Sequence, residues 1–420
     1  MLDLIMKDIL GSPSILVGLF ALIGLLLQRK GVADVVSGTL KTVMGFLILS
    51  GGAGILVGAL GSFGSMFDEA FHIQGVIPNN EAIVALAQQT FGAETALIML
   101  FGMIVNILLA RLTPFKYIFL TGHHTMFMAC LIAVILSTGG VKGVPLVVIG
   151  SLILGSVMVL SPAMLQPFMR KITGNNDIAM GHFGSIGYLV AGYIGKVVGN
   201  PEKSTEDIKV PKSLGFLRDT SVSVSLTMTV LFVVVAIAAG PAFVEENLSA
   251  GQNYVVYAIM QAITFAAGVY IVMAGVRILL AEIVPAFKGI AEKLVPNAIP
   301  ALDCPTVFPF ASNAVVIGFF VSFIAGLISM FLLPLFGLKI IVPGLVPHFF
   351  TGAAAGVFGN ATGGRRGAIA GAFVNGLLIS FLPAMLLPVL GSLGVEGTTF
   401  GDADFGFVGI ILGKVMALFN

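Results

Sequence analysis

Apolar residues run along this chain in blocks of about 20, the length a helix needs to cross the hydrocarbon core of a bilayer. Such windows fall near 12–28, 42–60, 95–112, 117–138, 144–161, 221–242, 254–277, 311–334, 340–359, 367–390 and 405–419. They predict an all-α polytopic membrane protein with about eleven transmembrane helices. The polar intervals alternate in charge, as cytoplasmic loops enriched in Lys and Arg require. Arg29, Lys30 and Lys41, then Arg111 and Lys116, then the cluster from Arg170 to Arg218, then Lys288 and Lys293, and finally Arg365 and Arg366 mark one side. Asp68, Glu69, Glu81, Glu94, Glu245, Glu246, Asp402 and Asp404 mark the other. This places the N-terminus outside and the C-terminus in the cytoplasm. Ser14–Leu27 reads as a retained first span, because no small-residue cleavage site follows a basic region.

Two segments, 62–94 and 279–310, are too polar and too interrupted to span. The first carries Pro78-Asn79-Asn80-Glu81, the second Pro296-Asn297, Pro300, Asp303 and Pro305. Proline breaks a helix and frees backbone groups, which membrane depth tolerates only where protein or a watery cavity satisfies them. They read as re-entrant hairpins, with surface loops bearing short amphipathic helices as the alternative. The halves also echo each other. Gly52 to Leu56, Ile77-Pro78-Asn79, Phe115 to Ile118 and His123-His124 recur in order as Gly275 to Leu279, Val295-Pro296-Asn297, Leu338 to Ile341 and His348. Five spans separate the copies, so the predicted repeats are inverted, the layout of many secondary transporters. The units are 1–220 with the outer hairpin, 221–390 with the inner hairpin, and a final helix in 391–420.

Composition agrees with the pattern: 57% of residues are hydrophobic, 10% are charged, and the mean hydropathy is +1.07. That is too much apolar surface for a chain of this length to bury in water. A net charge of +1 gives no electrostatic reason to bind nucleic acid. Cys130 and Cys304 match no metal or redox spacing and read as packing residues.

Ionisable groups at membrane depth are costly and therefore mark candidate sites. Glu81 at the first hairpin tip, beside Asn79 and Asn80, offers a carboxylate with two amides to a hydroxylated solute; an exposed acid is the alternative reading. Thr121-Gly122-His123-His124 opens the fourth span, where a capping or packing histidine is the alternative. Gly181-His182 lies in a segment, 179–198, apolar enough to dip into the protein, against an ordinary loop histidine. Asp303 sits alone among apolar residues before Pro305. Arg365-Arg366 reads as a topology anchor. No G-x-x-x-x-G-K-[ST] occurs, and the five histidines are too scattered to form a recognisable metal or nucleophile–base cluster. A resident metal, a bound cofactor and an independent catalytic site are therefore not expected.

The stretches Phe119 to His123, Gly181-His182, Ser204 to Pro211, Gly275 to Glu282, Ala301 to Cys304 and Ser312 to Val316 resemble the ascorbate-specific membrane subunit, EIIC, of the bacterial sugar phosphotransferase system. The resemblance runs almost end to end. It implies a homodimer of eleven-span protomers, each with a scaffold domain and an elevator-like core that holds L-ascorbate between two hairpins. It also implies phosphoryl transfer to the sugar from a separate soluble EIIB, itself charged by EIIA. His123, His182 and Asp303 match positions that line the ascorbate site. The chain departs from the family where glutamines are usual, with Phe127 four residues after the first histidine and Phe183 directly after the second. It also carries Asn80-Glu81 where a Thr-Tyr pair is usual. These four positions bear on which hydroxyls the pocket satisfies, and Glu81 would repel an anionic substrate unless protonated or turned aside. An ion-coupled secondary transporter of a polyhydroxylated solute is the competing reading.

Overall fold

The computed structural model describes residues 12–72, 75–208, 220–395 and 397–418. The chain is mainly helical. Helices α1 (Pro13–Leu27) and α2 (Val32–Phe71) lead into a short strand, β1 (Ile77–Pro78). Then come α3 (Asn80–Leu112), β2 (Tyr117–Phe119), α4 (Gly122–Thr138), α5 (Gly143–Thr173), β3 (Ala179–Met180) and α6 (Ser185–Val198). The second half follows with α7 (Thr220–Ala239), α8 (Pro241–Asn247), α9 (Tyr254–Lys293), β4 (Ile299–Leu302) and α10 (Ser312–Leu332). It ends with α11 (Leu345–Leu386), β5 (Thr398–Thr399) and α12 (Ala403–Ala417).

Among the described residues, six helices are long and apolar enough to cross a membrane, or seven if α7 and α8, bent by 101° at Gly240, form one span. The protein is therefore a polytopic membrane protein. The eleven predicted windows fall mainly on helix, although 117–119 is strand and 340–344 precedes α11, which two windows share. That element is not one rod. Asn375 Nδ2 donates to Thr351 Oγ1 at 3.1 Å across 24 residues, a stretch that would cover about 36 Å along a straight helix. The chain reverses at Gly364, with φ 57° and ψ −147°. A side chain there would meet the carbonyl oxygens of Lys203 and Asn200, so both the backbone angle and the space require glycine.

The helices form two groups. One consists of α1, α2, α7 and α9, which pack mainly on each other; the other contains α3 to α6 and α10 to α12. Within the first group α2 and α9 run antiparallel with their backbones almost touching. A Cβ on Gly45 would lie 2.7 Å from Leu279 N, and one on Gly52 2.7 Å from Val272 N. Each contact has a counterpart with the helices exchanged, since Gly268 meets Leu56 and Gly275 meets Leu49. Small residues permit this approach, and dispersion contact then holds the pair where apolar lipid offers no hydrophobic drive.

The long helices continue into the two interrupted segments, which differ in detail from the sequence reading. Residues 62–71 extend α2, and 279–293 extend α9. Val295-Pro296-Asn297 does not correspond to β1; it makes a turn with Asn297 at φ 60°, and Ile299–Leu302 is the extended piece. The physical reason is pairing. Backbone freed by the prolines must find hydrogen bonds, and it finds them in two small parallel sheets. In one, β4 lies between β2 and β3, with Ile118 opposite Pro300, and Phe119 and Ala179 flanking Ala301. In the other, β1 pairs with β5, Ile77 opposite Thr398, while the adjoining Val76 bridges Ile341. A strand from one interrupted segment thus lies between two pieces from the other half of the chain in both sheets.

Candidate functional site

The first sheet delivers side chains to a common point from the carboxyl ends of its strands. His123 follows β2 by four residues, His182 follows β3 by two, and Asp303 follows β4 by one. Backbone bonds from Leu120 N to Ala301 O (2.9 Å) and Gly181 N to Leu302 O (2.6 Å) extend the sheet up to these residues, and Thr121 Oγ1 donates to Gly181 O. From the opposite side the second sheet brings Asn80 and Asp402. Between them lies a cavity of about 560 Å³, also bordered by α2 at Ser65 and Asp68 and by Val342 to Pro347 before and within α11. It sits where the two helix groups meet.

Asp303 Oδ1 accepts the Cys304 N–H at 2.6 Å and caps the short 3₁₀ turn Cys304–Phe310. Its Oδ2 stands 3.5 Å from His123 Nε2, and Oδ1 stands 3.9 Å from His182 Nε2. His182 is buried, and its tautomer follows from its neighbours. Gly184 N–H donates to His182 Nδ1 at 2.9 Å, with Tyr188 Oη 2.9 Å from the same nitrogen. A backbone N–H can only donate, so Nδ1 carries the lone pair and the proton resides on Nε2, facing Asp303. The wall thus combines an N–H donor, a carboxylate acceptor and a second imidazole, groups suited to sugar hydroxyls.

Of the other residues singled out from sequence, Asn80 and Phe127 border the cavity. Asn80 is already engaged: its Nδ2 donates to Asp402 Oδ2 at 2.8 Å and its Oδ1 accepts the Gly401 N–H at 2.8 Å. Phe183 is fully buried behind the wall, stacked on Phe119 at 4.8 Å and in contact with His124 and Phe405; it is not among the cavity-lining residues. The Glu81 side chain lies outside the described residues.

Three features correct the sequence reading. Asp402 and Asp404, taken as loop acids, are both buried: Asp402 pairs with Asn80, and Asp404 Oδ1 accepts the Ile186 N–H at 2.7 Å, joining α12 to the start of α6. Three of the five histidines, His123, His124 and His182, lie together. His124, beside His123 in sequence, lies with its ring centroid 4.0 Å from that of His182. Cys304, read as packing, borders the cavity. The paired histidines at 123 and 124 were a usable signal for the second of them; nothing local marks Asp402 or Tyr188.

A polytopic helical protein with a polar-lined cavity between two broken segments has the layout of a membrane carrier. Residues 8–404 match the EIIC-GAT family, the PTS system sugar-specific permease component, and the chain belongs to that family. It is also 28% identical over 422 aligned positions to the "Ascorbate-specific PTS system EIIC component" of Mycoplasma pneumoniae, an alignment covering 87% of this chain. The chain spans about 63% of the length of that relative.

Proposed function

We propose that this protein is the EIIC permease of a sugar phosphotransferase system and carries L-ascorbate, or a related sugar acid or polyol, into the cell. A separate EIIB, charged by EIIA, phosphorylates the sugar; the permease itself contributes no catalytic group and binds no cofactor. The observation that carries this reading is the cavity where His123, His182 and Asp303 converge from three parallel strands. A family match over most of the chain and the name of the Mycoplasma relative support the sugar.

The molecule crosses a bacterial inner membrane eleven times, with the N-terminus outside and the C-terminus in the cytoplasm. The doubling back of α11, which supplies two of the crossings, supports that count. The two halves are inverted repeats. Support comes from the exchanged contacts of α2 and α9, and from the way each sheet sandwiches one half's hairpin strand between pieces of the other. Correspondence of β3 with β5 extends the second repeat beyond residue 390 to include α12. The re-entrant hairpins have their tips at β1 and β4. The α1, α2, α7 and α9 group is the scaffold of a homodimer, and the remaining helices form a core that moves like an elevator. The position of the cavity at the boundary of the groups supports this division.

The second reading, ion-coupled transport, draws on Asp68, Asp303 and Asp402, carboxylates along a cavity whose described lining contains no Lys or Arg. Vesicles containing the full chain separate the two. Group translocation expects labelled L-ascorbate to appear inside as its phosphate only when EIIA, EIIB and phosphoenolpyruvate are supplied. Accumulation of unmodified sugar driven by an ion gradient alone refutes it. A panel of unlabelled sugar acids and polyols as competitors identifies the substrate.

A further inference from the structure

His124 plays no part in the sugar-binding wall derived above, yet its position is costly. It is 4% exposed, and its Nδ1 has no hydrogen-bond partner among the described residues. An unpaired buried polar atom is costly, and the buried, unpartnered imidazole borders the cavity, free to take a ligand. The donor atoms of His123, His124 and Asp303 all lie within 4.8 Å of one another. We propose that these three residues form a binding site for a divalent transition-metal ion of the zinc type, open on its fourth side to the cavity.

The geometry of the His123–Asp303 pair supports a metal better than a hydrogen bond. Bonds of about 2.0–2.1 Å in a tetrahedral site put neighbouring ligand atoms about 3.4 Å apart. His123 Nε2 and Asp303 Oδ2 are 3.5 Å apart, long for a hydrogen bond and close to that edge length. The Asp303 carboxylate is already oriented for the task, since the Cys304 N–H holds Oδ1 and leaves Oδ2 facing His123. His182 is not a ligand despite its proximity. Its Nε2 bears the proton, because Nδ1 accepts from Gly184, and a protonated ring nitrogen has no lone pair to give. Its place is in the outer shell, facing the carboxylate that binds the ion. That excludes the two other local groupings, His124 with His182 and Asp402, and His182 with Asp303 and Cys304.

Two imidazoles and one carboxylate suit Zn²⁺ or Co²⁺ rather than Mg²⁺ or Ca²⁺, which prefer all-oxygen shells. The field of the cavity also favours a dication, with Asp68, Asp303 and Asp402 among its lining residues. Because His123 and Asp303 belong to the wall assigned to the sugar, metal and sugar exclude each other.

The test is titration of the purified full chain in detergent with Co²⁺, read by visible d–d absorption. The expected result is one Co²⁺ per chain with a tetrahedral spectrum, displaced by Zn²⁺. His123→Ala, the substitution at the most exposed of the three ligands, and Asp303→Asn, which keeps the cap of the 3₁₀ turn, each weaken binding by at least about tenfold. His124→Ala does the same, and His72→Asn, outside the cluster, leaves binding unchanged. A wild-type chain that binds no Co²⁺, or only with an octahedral spectrum, overturns the proposal. So does full affinity in folded His123→Ala or Asp303→Asn protein. Co²⁺ binding without any labelled L-ascorbate binding leaves the metal site standing and removes the sugar reading; the converse result does the reverse.

Discussion

Replacing Asp303 with asparagine isolates one oxygen. In the native site Oδ1 caps the 3₁₀ turn through the Cys304 N–H at 2.6 Å, while Oδ2 faces His123. Asparagine is about as good an N-cap as aspartate and retains the capping oxygen, so the turn and its packing persist. Its amide nitrogen then takes the place of Oδ2, turning an ionised acceptor into a donor that meets a donating sugar hydroxyl unproductively. A hydrogen bond to a charged group contributes about 1.5–3 kcal/mol, so affinity for the sugar falls roughly 10- to 150-fold. The assay is equilibrium binding of labelled L-ascorbate, or of the best competitor from the sugar panel, to purified protein, with thermal unfolding measured on the same preparations. A dissociation constant within twofold of wild type, with an unchanged unfolding midpoint, would remove Asp303 from the binding site.

Tyr188→Phe removes one of the two groups at His182 Nδ1 and leaves the Gly184 N–H in place. Loss of about 0.5–1.5 kcal/mol of orientation should weaken sugar binding roughly 2- to 13-fold, and ¹⁵N NMR of His182 should show a smaller Nε2–H fraction; an unaltered tautomer and affinity would deny Tyr188 a positioning role. Gly364→Ala forces an L side chain into a glycine conformation at a cost of about 1–3 kcal/mol and drives Cβ against the Lys203 and Asn200 carbonyls. A clearly lower unfolding midpoint is expected, and a midpoint equal to wild type would mean that the turn in α11 is not as tight as drawn.

The membrane-spanning character of the chain was legible residue by residue, because lipid imposes a length and a polarity on every crossing that no distant contact can waive. Among the described residues, six or seven helices are long and apolar enough to cross for that reason. His123, His182 and Asp303 were legible as well, since an ionisable group among apolar neighbours is expensive without a purpose. The reading failed where partners far apart in sequence decide the outcome. Asp402 looks like a loop acid until Asn80, 322 residues away, is seen to hydrogen-bond to it. Phe183 looks like a pocket residue because it adjoins His182, yet the backbone turn at the end of β3 sends it back onto Phe119.

Sequence by itself determined the membrane-spanning character, the helical class and which ionisable side chains lie among apolar neighbours, because these follow from local hydrophobicity and chemical type. Only the tertiary structure decided that the three site-bearing segments converge. Prolines in the broken segments release backbone groups, and parallel pairing between halves of the chain satisfies many of them. That pairing sets which strand ends meet and so brings His182 and Asp303 to the His123-His124 pair, a convergence with no linear trace.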